Sequence, residues 1–192
     1  MPGWSPAFPG GTHLYGAGGG TSQVVAMPKY QQGVVPNSIS DYFHTGFLGR
    51  STPDIGAIAD PNTGFLIGLT QTFPDGSVKY SEYRIGGTSL ASPAMAGMEA
   101  LADQAAGHPH GFANPAIYRL NGSSAVHDIV SPEDTMSDVR IDFINGVDAT
   151  AGYRTSLRVF NQTGTIFTRR GYDDVTGIGT PKAVQYTKQL GH

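Results

Sequence analysis

The 192-residue sequence has no cysteine, which excludes disulfides, cysteine-type zinc sites and thiol catalysis. Charge is scarce at 14%, against about 25% in typical chains. Glutamate occurs three times only, as Glu82, Glu99 and Glu133. The net charge of -3 comes without a basic stripe, which argues against nucleic acid as the main partner. Gly or polar residues break every apolar run well before the roughly 18 positions that a membrane span requires. Met1-Pro2-Gly3-Trp4 opens without the charged-then-apolar pattern of a secretory leader. What remains is a folding composition, 39% hydrophobic and 10% aromatic, long enough for one core and too short for two ordinary domains. A surface poor in Lys and Glu has few ion pairs to lose when carboxylates protonate, which suits an acidic or secreted setting.

Glycine (27) and proline (13) are abundant, so many turns must be sharp or closely packed. Residues 1–53 read as loops punctuated by Pro9-Gly10-Gly11, Gly18-Gly19-Gly20 and Pro28-Lys29-Tyr30. Residues 54–88 read as strands. Ile55-Gly56-Ala57-Ile58-Ala59 ends in a turn at Asp60-Pro61-Asn62-Thr63-Gly64. Phe65-Leu66-Ile67-Gly68-Leu69 then runs to a hairpin turn at Phe73-Pro74-Asp75-Gly76-Ser77 and returns through Val78 to Ile85. A long helix is expected from Ser89 to about Ala106, and Asn114-Pro115 opens a short one as cap and first position. Residues 121–192 return to loops and strands, closing with a helix over 182–190 that Thr180-Pro181 starts. Within them, 132–168 reads as a β-rich insertion in which 139–144 and 156–160 alternate like strands; it carries no chemistry.

The informative segment is Gly86-Gly87-Thr88-Ser89-Leu90-Ala91-Ser92-Pro93-Ala94-Met95-Ala96-Gly97. Pro93 brings no N–H to the carbonyl of residue 89 and its ring crowds that carbonyl, so Ser89 belongs at the helix entrance and not inside it. There its hydroxyl points into a cleft beside free backbone N–H groups and the positive helix end, donors that could stabilise an oxyanion. An arbitrary Thr-Ser before a helix is usually a cap; the complete string with glycines before it favours chemistry. Gly20-Thr21-Ser22 imitates part of it, but Gln23-Val24-Val25 and Pro28 favour extended chain, leaving Ser22 no helix.

Gly87-Thr88-Ser89-x-Ala91-x-Pro93 resembles the nucleophile segment of subtilisin-like serine peptidases, and the wider context resembles the sedolisins, the serine-carboxyl peptidases. Four further segments carry that resemblance, in family order and over nearly the whole chain. They are Gly18-Gly19-Gly20-x-Ser22 with Pro28-x-Tyr30-Gln31; Arg50-x-x-Pro53-Asp54-Ile55 with Ala59-Asp60-Pro61-x-x-Gly64; His127-Asp128-Ile129; and Gly171-Tyr172-Asp173-Asp174-Val175-Thr176-Gly177-Ile178-Gly179-Thr180-Pro181. The position before the second glycine, usually Ser in the family, is Gly86.

The resemblance implies the C-terminal part of one α/β catalytic domain over 1–192: a subtilisin-like, mainly parallel sheet with helices on both faces. It implies Ser89 as acyl-forming nucleophile, with backbone support from Thr88 at the oxyanion. The family's activating Glu, the Asp that holds it and an oxyanion Asp lie on segments upstream of those represented, so the chain alone is expected to be inactive. Glu82 and Glu99 lack the family's E-x-x-x-D context and are expected in surface roles; Asp54 and Asp60 are expected in turns and packing. A carboxylate base works at a pH where histidine is already protonated, which implies an acid-acting enzyme.

The same resemblance implies one calcium ion. The side chains of Asp128 and Asp173, 45 positions apart, and the carbonyls of Ile129, Arg169 and Gly171 supply five oxygens, and a water completes the shell. Arg169 stands where the family usually has Gly. Expected partners are a peptide or protein substrate and the upstream part of the domain, with no nucleic acid and no membrane; the expected setting is secreted. Two other readings stand beside this one: a subtilisin-type Ser-His-Asp peptidase fragment, and a non-catalytic calcium-stabilised module. His108-Pro109-His110 reads as loop, and Asn121-Gly122-Ser123 and Asn161-Gln162-Thr163 match the glycosylation pattern, a common chance event.

Overall fold

Frequent Gly and Pro cut the chain into short elements joined by side-chain hydrogen bonds. The structure, a computed structural model, describes residues 17–59, 64–130, 137–144, 149–159, 166 and 168–191. Strand β1 (Gly20–Ala26) pairs antiparallel with β2 (Gly49–Thr52). Between them lie a 3-10 turn at Lys29–Gln31 and the one-turn helix α1 (Asn37–Ser40). These elements correct the expectation of a loop over the first 53 residues. Their register rests on distant partners that local composition does not display. The fully buried Gln31 amide donates to the Ser51 carbonyl (2.7 Å) and the Tyr118 hydroxyl (2.7 Å) and accepts from the Ser51 N–H (3.1 Å).

Strands β3 (Phe65–Thr72) and β4 (Val78–Ile85) form the expected hairpin, in register from Phe65 opposite Ile85 to Thr72 opposite Val78. Asp75 fixes its tip by accepting the Ser77 N–H at 2.9 Å, and Gly76 takes φ 80°. The hairpin leads into α2 (Thr88–Ala106), which Gly107 ends in the left-handed conformation. Helix α3 (Asn114–Arg119) starts with Pro115 in its first turn, though the cap position falls on Ala113 and not on Asn114.

Strand β5 (Val126–His127) pairs antiparallel with β8 (Thr180–Pro181), and α4 (Ala183–Leu190) follows. Thr180-Pro181 is therefore a strand rung, and Lys182 occupies the cap position. Strands β6 (Ser137–Phe143) and β7 (Tyr153–Val159) form another antiparallel pair inside the 132–168 stretch.

One core joins α1, the three longer helices and the segments beside β5 and β8, with no residue of the β3–β4 hairpin in it. Ala102 of α2, Ala116, Ile117 and Tyr118 of α3, and Tyr186 and Leu190 of α4 pack with Val35, Ile39, Tyr172 and Ile178. At roughly 25 cal/mol per Å² of apolar surface, each large side chain buried there contributes about 1.5–3 kcal/mol. Helices α2 and α4 touch closely at their ends. A Cβ on Gly191 would sit 2.9 Å from the Ala105 Cβ and 3.0 Å from the Ala102 carbonyl.

The architecture is mixed α and β, and every strand pairing among the described residues is antiparallel, in four two-stranded sheets. The expected mainly parallel sheet is not formed among them. A parallel pair requires a crossover that brings two strands side by side; here Ile55-Gly56-Ala57-Ile58-Ala59, expected as a strand, contributes a single bridge, Ile55 to Gly177. No helix among the described residues is long and apolar enough to cross a membrane.

Candidate functional site

Ser89 is the second residue of α2. Gly87, at φ 79° and ψ 174°, turns the chain from β4 into the helix, a backbone state that residues with a Cβ rarely adopt. The Gly87 carbonyl accepts the first helical N–H groups, from Leu90 (3.0 Å) and Ala91 (3.2 Å). No side chain caps this end, so the N–H groups of Thr88 and Ser89 come before the first intrahelical bond and point outward with the positive end of the helix. Thr88 and Ser89 are both exposed. The Ser89 hydroxyl has no hydrogen-bond partner among the described residues. Pro93 sits inside the helix four residues on, as the sequence requires for an entrance position.

Three of the motif segments meet behind this turn. The Gly87 N–H donates to the Ala59 carbonyl at 2.5 Å, tying the turn before Ser89 to the 54–59 segment. That segment is zipped to 177–179: Ile178 N–H to Asp54 carbonyl (3.0 Å) and Gly56 N–H to Gly179 carbonyl (2.9 Å). A Cβ on Gly177, at φ 66°, would collide with the Asp54 carbonyl, so the close approach needs glycine. The Asp54 carboxylate accepts from the Arg50 guanidinium (2.5 Å), the Asn114 amide (2.8 Å) and the Tyr118 hydroxyl (2.8 Å). Tyr172 adds a bond to the Pro53 carbonyl (2.9 Å). Asp54 thus has the packing role expected of it, while Asp60 lies outside the described residues.

The two candidate bases part company. Glu82 is exposed on β4 and accepts the Tyr80 hydroxyl at 2.8 Å, a surface role. Glu99 corrects the sequence reading, for it is partly buried between α2 and α4. One of its oxygens accepts the Tyr186 hydroxyl at 2.5 Å and the other is buried without a partner among the described residues. Burial, then this bond, push the Tyr186 hydroxyl pKa up. Ser22, set aside as a nucleophile, lies on β1 and accepts the N–H groups of Val24 (3.2 Å) and Val25 (2.9 Å).

Asp128 and Asp173 are brought to one loop. Asp128 follows β5, and its Oδ2 accepts the Gly171 N–H at 2.8 Å; its Oδ1 is buried with no partner among the described residues. Asp173 is fully buried, and a buried carboxylate needs donors. Its Oδ1 accepts from the N–H groups of Val175 (2.9 Å) and Thr176 (2.6 Å), and its Oδ2 from the Arg169 N–H (3.0 Å). The Thr176 hydroxyl lies 3.1 and 3.2 Å from the two oxygens and can donate to one. Asp173 is thereby nearly saturated, whereas Oδ1 of Asp128, on the segment that Gly171 joins to this loop, has no partner among the described residues. Among the described residues no three His, Asp or Glu side chains gather where one ion could take them all. A metal here would rely on backbone carbonyls as well, which suits a hard oxygen-loving cation.

No family model matches the chain. Curated relatives do. Kumamolisin of Bacillus sp. is 28% identical over 188 residues, covering 97% of this chain and 27% of that protein. Probable tripeptidyl-peptidase SED2 of Arthroderma benhamiae is 31% identical over 185 residues, 90% of this chain and 26% of that one. Tripeptidyl-peptidase 1 of Homo sapiens is 27% identical over 189 residues, 92% and 28%. The chain therefore spans about a quarter of the length of the curated relatives it matches. Similarity of this kind over nine-tenths of the chain, with the motif segments in family order, places it in one family: the chain belongs to the sedolisins, the serine-carboxyl peptidases.

Proposed function

We propose that this chain forms the nucleophile-bearing, C-terminal portion of an acid-acting peptidase that cleaves peptide bonds through an acyl-enzyme on Ser89. The observation that carries the reading is the placement of Ser89: an exposed hydroxyl on the first turn of a 19-residue helix, with neither it nor the N-terminal donors bonded by a side chain among the described residues. Its Oγ attacks the substrate carbonyl carbon, and the proton passes to a Glu that a family segment outside these 192 residues supplies. The N–H groups at the Thr88–Ser89 turn face the oxygen that becomes negative, where preorganised donors contribute most. The leaving amine departs protonated, and water then releases the acyl group by the reverse proton path. None of the described histidines hydrogen-bonds Ser89, which gives a Ser-His-Asp mechanism no support here. A subtilisin-like parallel sheet would be completed by strands of the same outside segments, in a secreted protein.

We further propose a structural calcium ion held by the carboxylates of Asp128 and Asp173 and the carbonyls of Ile129, Arg169 and Gly171. The ion would neutralise two neighbouring carboxylates and fasten the β5 end to the loop before β8.

Labelling by a fluorophosphonate tests the first reading. The protein assembled with the missing family segments should be labelled at Ser89 and should cleave peptides at about pH 3–5. Ser89→Ala should remove both, a loss on the order of 10⁵–10⁶-fold in kcat by analogy with other serine nucleophiles. Cleavage that survives Ser89→Ala would sink the proposal.

A further inference from the structure

We propose that His110 is a protonation latch on the C-terminal helix: its imidazolium joins the end of α2 to the end of α4, and loss of one ring proton releases α4. The geometry points there directly. Gly107 ends α2, the chain turns back through Pro109, and His110 comes to rest between the two helices. Its Nδ1 lies 2.5 Å from Oδ1 of Asp103, in the last turns of α2, and its Nε2 lies 2.6 Å from the Leu190 carbonyl, the last residue of α4. Its backbone N–H also donates to Asp103 Oδ1, at 2.9 Å, which fixes the ring's approach.

A carboxylate and a carbonyl are both acceptors without a hydrogen, so each ring nitrogen must carry a proton to bond them. Neutral imidazole carries one. Either tautomer would leave a lone pair facing an acceptor at hydrogen-bond distance. The Leu190 carbonyl has little room to retreat, because Gly191 is packed against Ala102 and Ala105. The His110 side chain is 13% exposed and that of Asp103 35%, so water replaces a lost bond only in part.

The charged surroundings favour the imidazolium. From α2, Asp103 is in contact and Glu99 lies one turn earlier, held by the Tyr186 hydroxyl of α4. From the loop, the His108 ring stands 5.7 Å from the His110 ring and opposes its charge once protonated itself. The only charged side chain of α4 is Lys188, exposed in the last turn. His192 lies outside the described residues.

The hydrogen bond to Asp103 is the largest cause raising the His110 pKa above its ordinary 6.5, followed among the raising effects by the Leu190 carbonyl. The same bond lowers Asp103 below its ordinary 3.8. A raised histidine stabilises fully below its unfolded pKa and loses that contribution as pH rises through the folded value. A depressed carboxylate stabilises above its unfolded pKa and loses that as pH falls through its folded value. The latch is closed at mildly acidic pH and opens towards neutral and alkaline pH. Because β8 leads into α4 and pairs with β5, an open latch loosens the whole end of the chain. None of this depends on the chemistry of Ser89.

Thermal melts of the complete protein and its His110→Gln variant over about pH 4–9 form the first test. The wild type should melt higher near pH 5, by up to about 2–4 °C and by less the longer the complete protein is, and the gap should close above about pH 8. A gap that does not change with pH would overturn the latch. Should the variant not fold, nitrogen NMR of wild-type imidazoles answers the same question. Two protons on His110 at pH 5 and a pKa above 6.5 are expected, with Asp103→Asn returning the pKa towards its ordinary value. One proton at pH 5, or a pKa at or below 6.5, would overturn it.

Discussion

The loop around Asp173 and the turn around Ser89 both carry long family motifs, yet physically they are opposites. Asp173 is fully buried and takes hydrogen bonds from Arg169, Val175 and Thr176, all within four residues of it. Ser89 is exposed at a helix end whose donors are uncapped. A framework residue has partners that must be satisfied before anything binds, since an unpaired buried charge costs several kcal/mol. A reacting residue gains from the reverse: a hydroxyl already committed to its own chain would have to be freed before it could attack. On the proposed function, the contrast separates motif residues that hold shape from the one proposed to meet substrate.

Removing the Asp173 carboxylate is the strongest way to break this contrast. Asp173→Ala strips the acceptor from three backbone N–H groups at once, those of Arg169, Val175 and Thr176, and leaves a hole where the buried carboxylate was. The expected loss is about 3–5 kcal/mol of stability, read as a lower midpoint in urea at unchanged slope. Ser89→Ala should leave the same midpoint where it was. Equal losses in both variants would show that the Ser89 turn is framework too.

Calcium sharpens the comparison within the loop itself. Asp128 already holds Gly171 through one oxygen, but its other oxygen is bare, whereas Asp173 is nearly saturated. Asp128→Ala should therefore cost about 1–3 kcal/mol without metal, less than Asp173→Ala. In wild type, calcium at a hundredfold excess over Kd should add about 2.7 kcal/mol, and either variant should lose that increment. Calorimetric titration and melts with and without calcium read both quantities. An increment that survives Asp128→Ala removes the proposed ion from this loop.

The sequence displayed what is local. The Ser89 position follows from Pro93 four residues away, and the hairpin register follows from one turn, Phe73 to Ser77, whose geometry Asp75 and Gly76 set. What it did not display depends on partners far along the chain. Tyr172 bonds Pro53 across 119 positions, and Gly177 is needed because Asp54 lies against it. β1 and β2 were hidden for the same reason: Gln31, which pins them, reads as an ordinary polar residue until Ser51 and Tyr118 are placed around it. Glu99 was misread as a surface acid because its partner, Tyr186, is 87 positions away. Proximity of Asp128 to the 169–173 loop was visible only through family resemblance, since two isolated aspartates carry no signal of a shared site.

The smallest effect concerns the hairpin that carries the chain to Ser89. Its β4 residues are exposed up to Arg84, and Tyr80, 64% exposed, bonds Glu82 on its own strand. Tyr80 also lies across Gly68 on β3, its diagonal neighbour, where a Cβ would meet the flexible end of the tyrosine ring and not backbone. Tyr80→Phe removes one solvent-exposed bond whose partner water can serve, so the expected change is within about 0.5 kcal/mol. Gly68→Ala should be comparably mild, because the Tyr80 ring can swing outward into water. Urea midpoints measure both. A loss well above about 1 kcal/mol from either would mean that the hairpin is braced like the Asp173 loop. The line between framework and open site would then run at Gly87, and not at the start of β3.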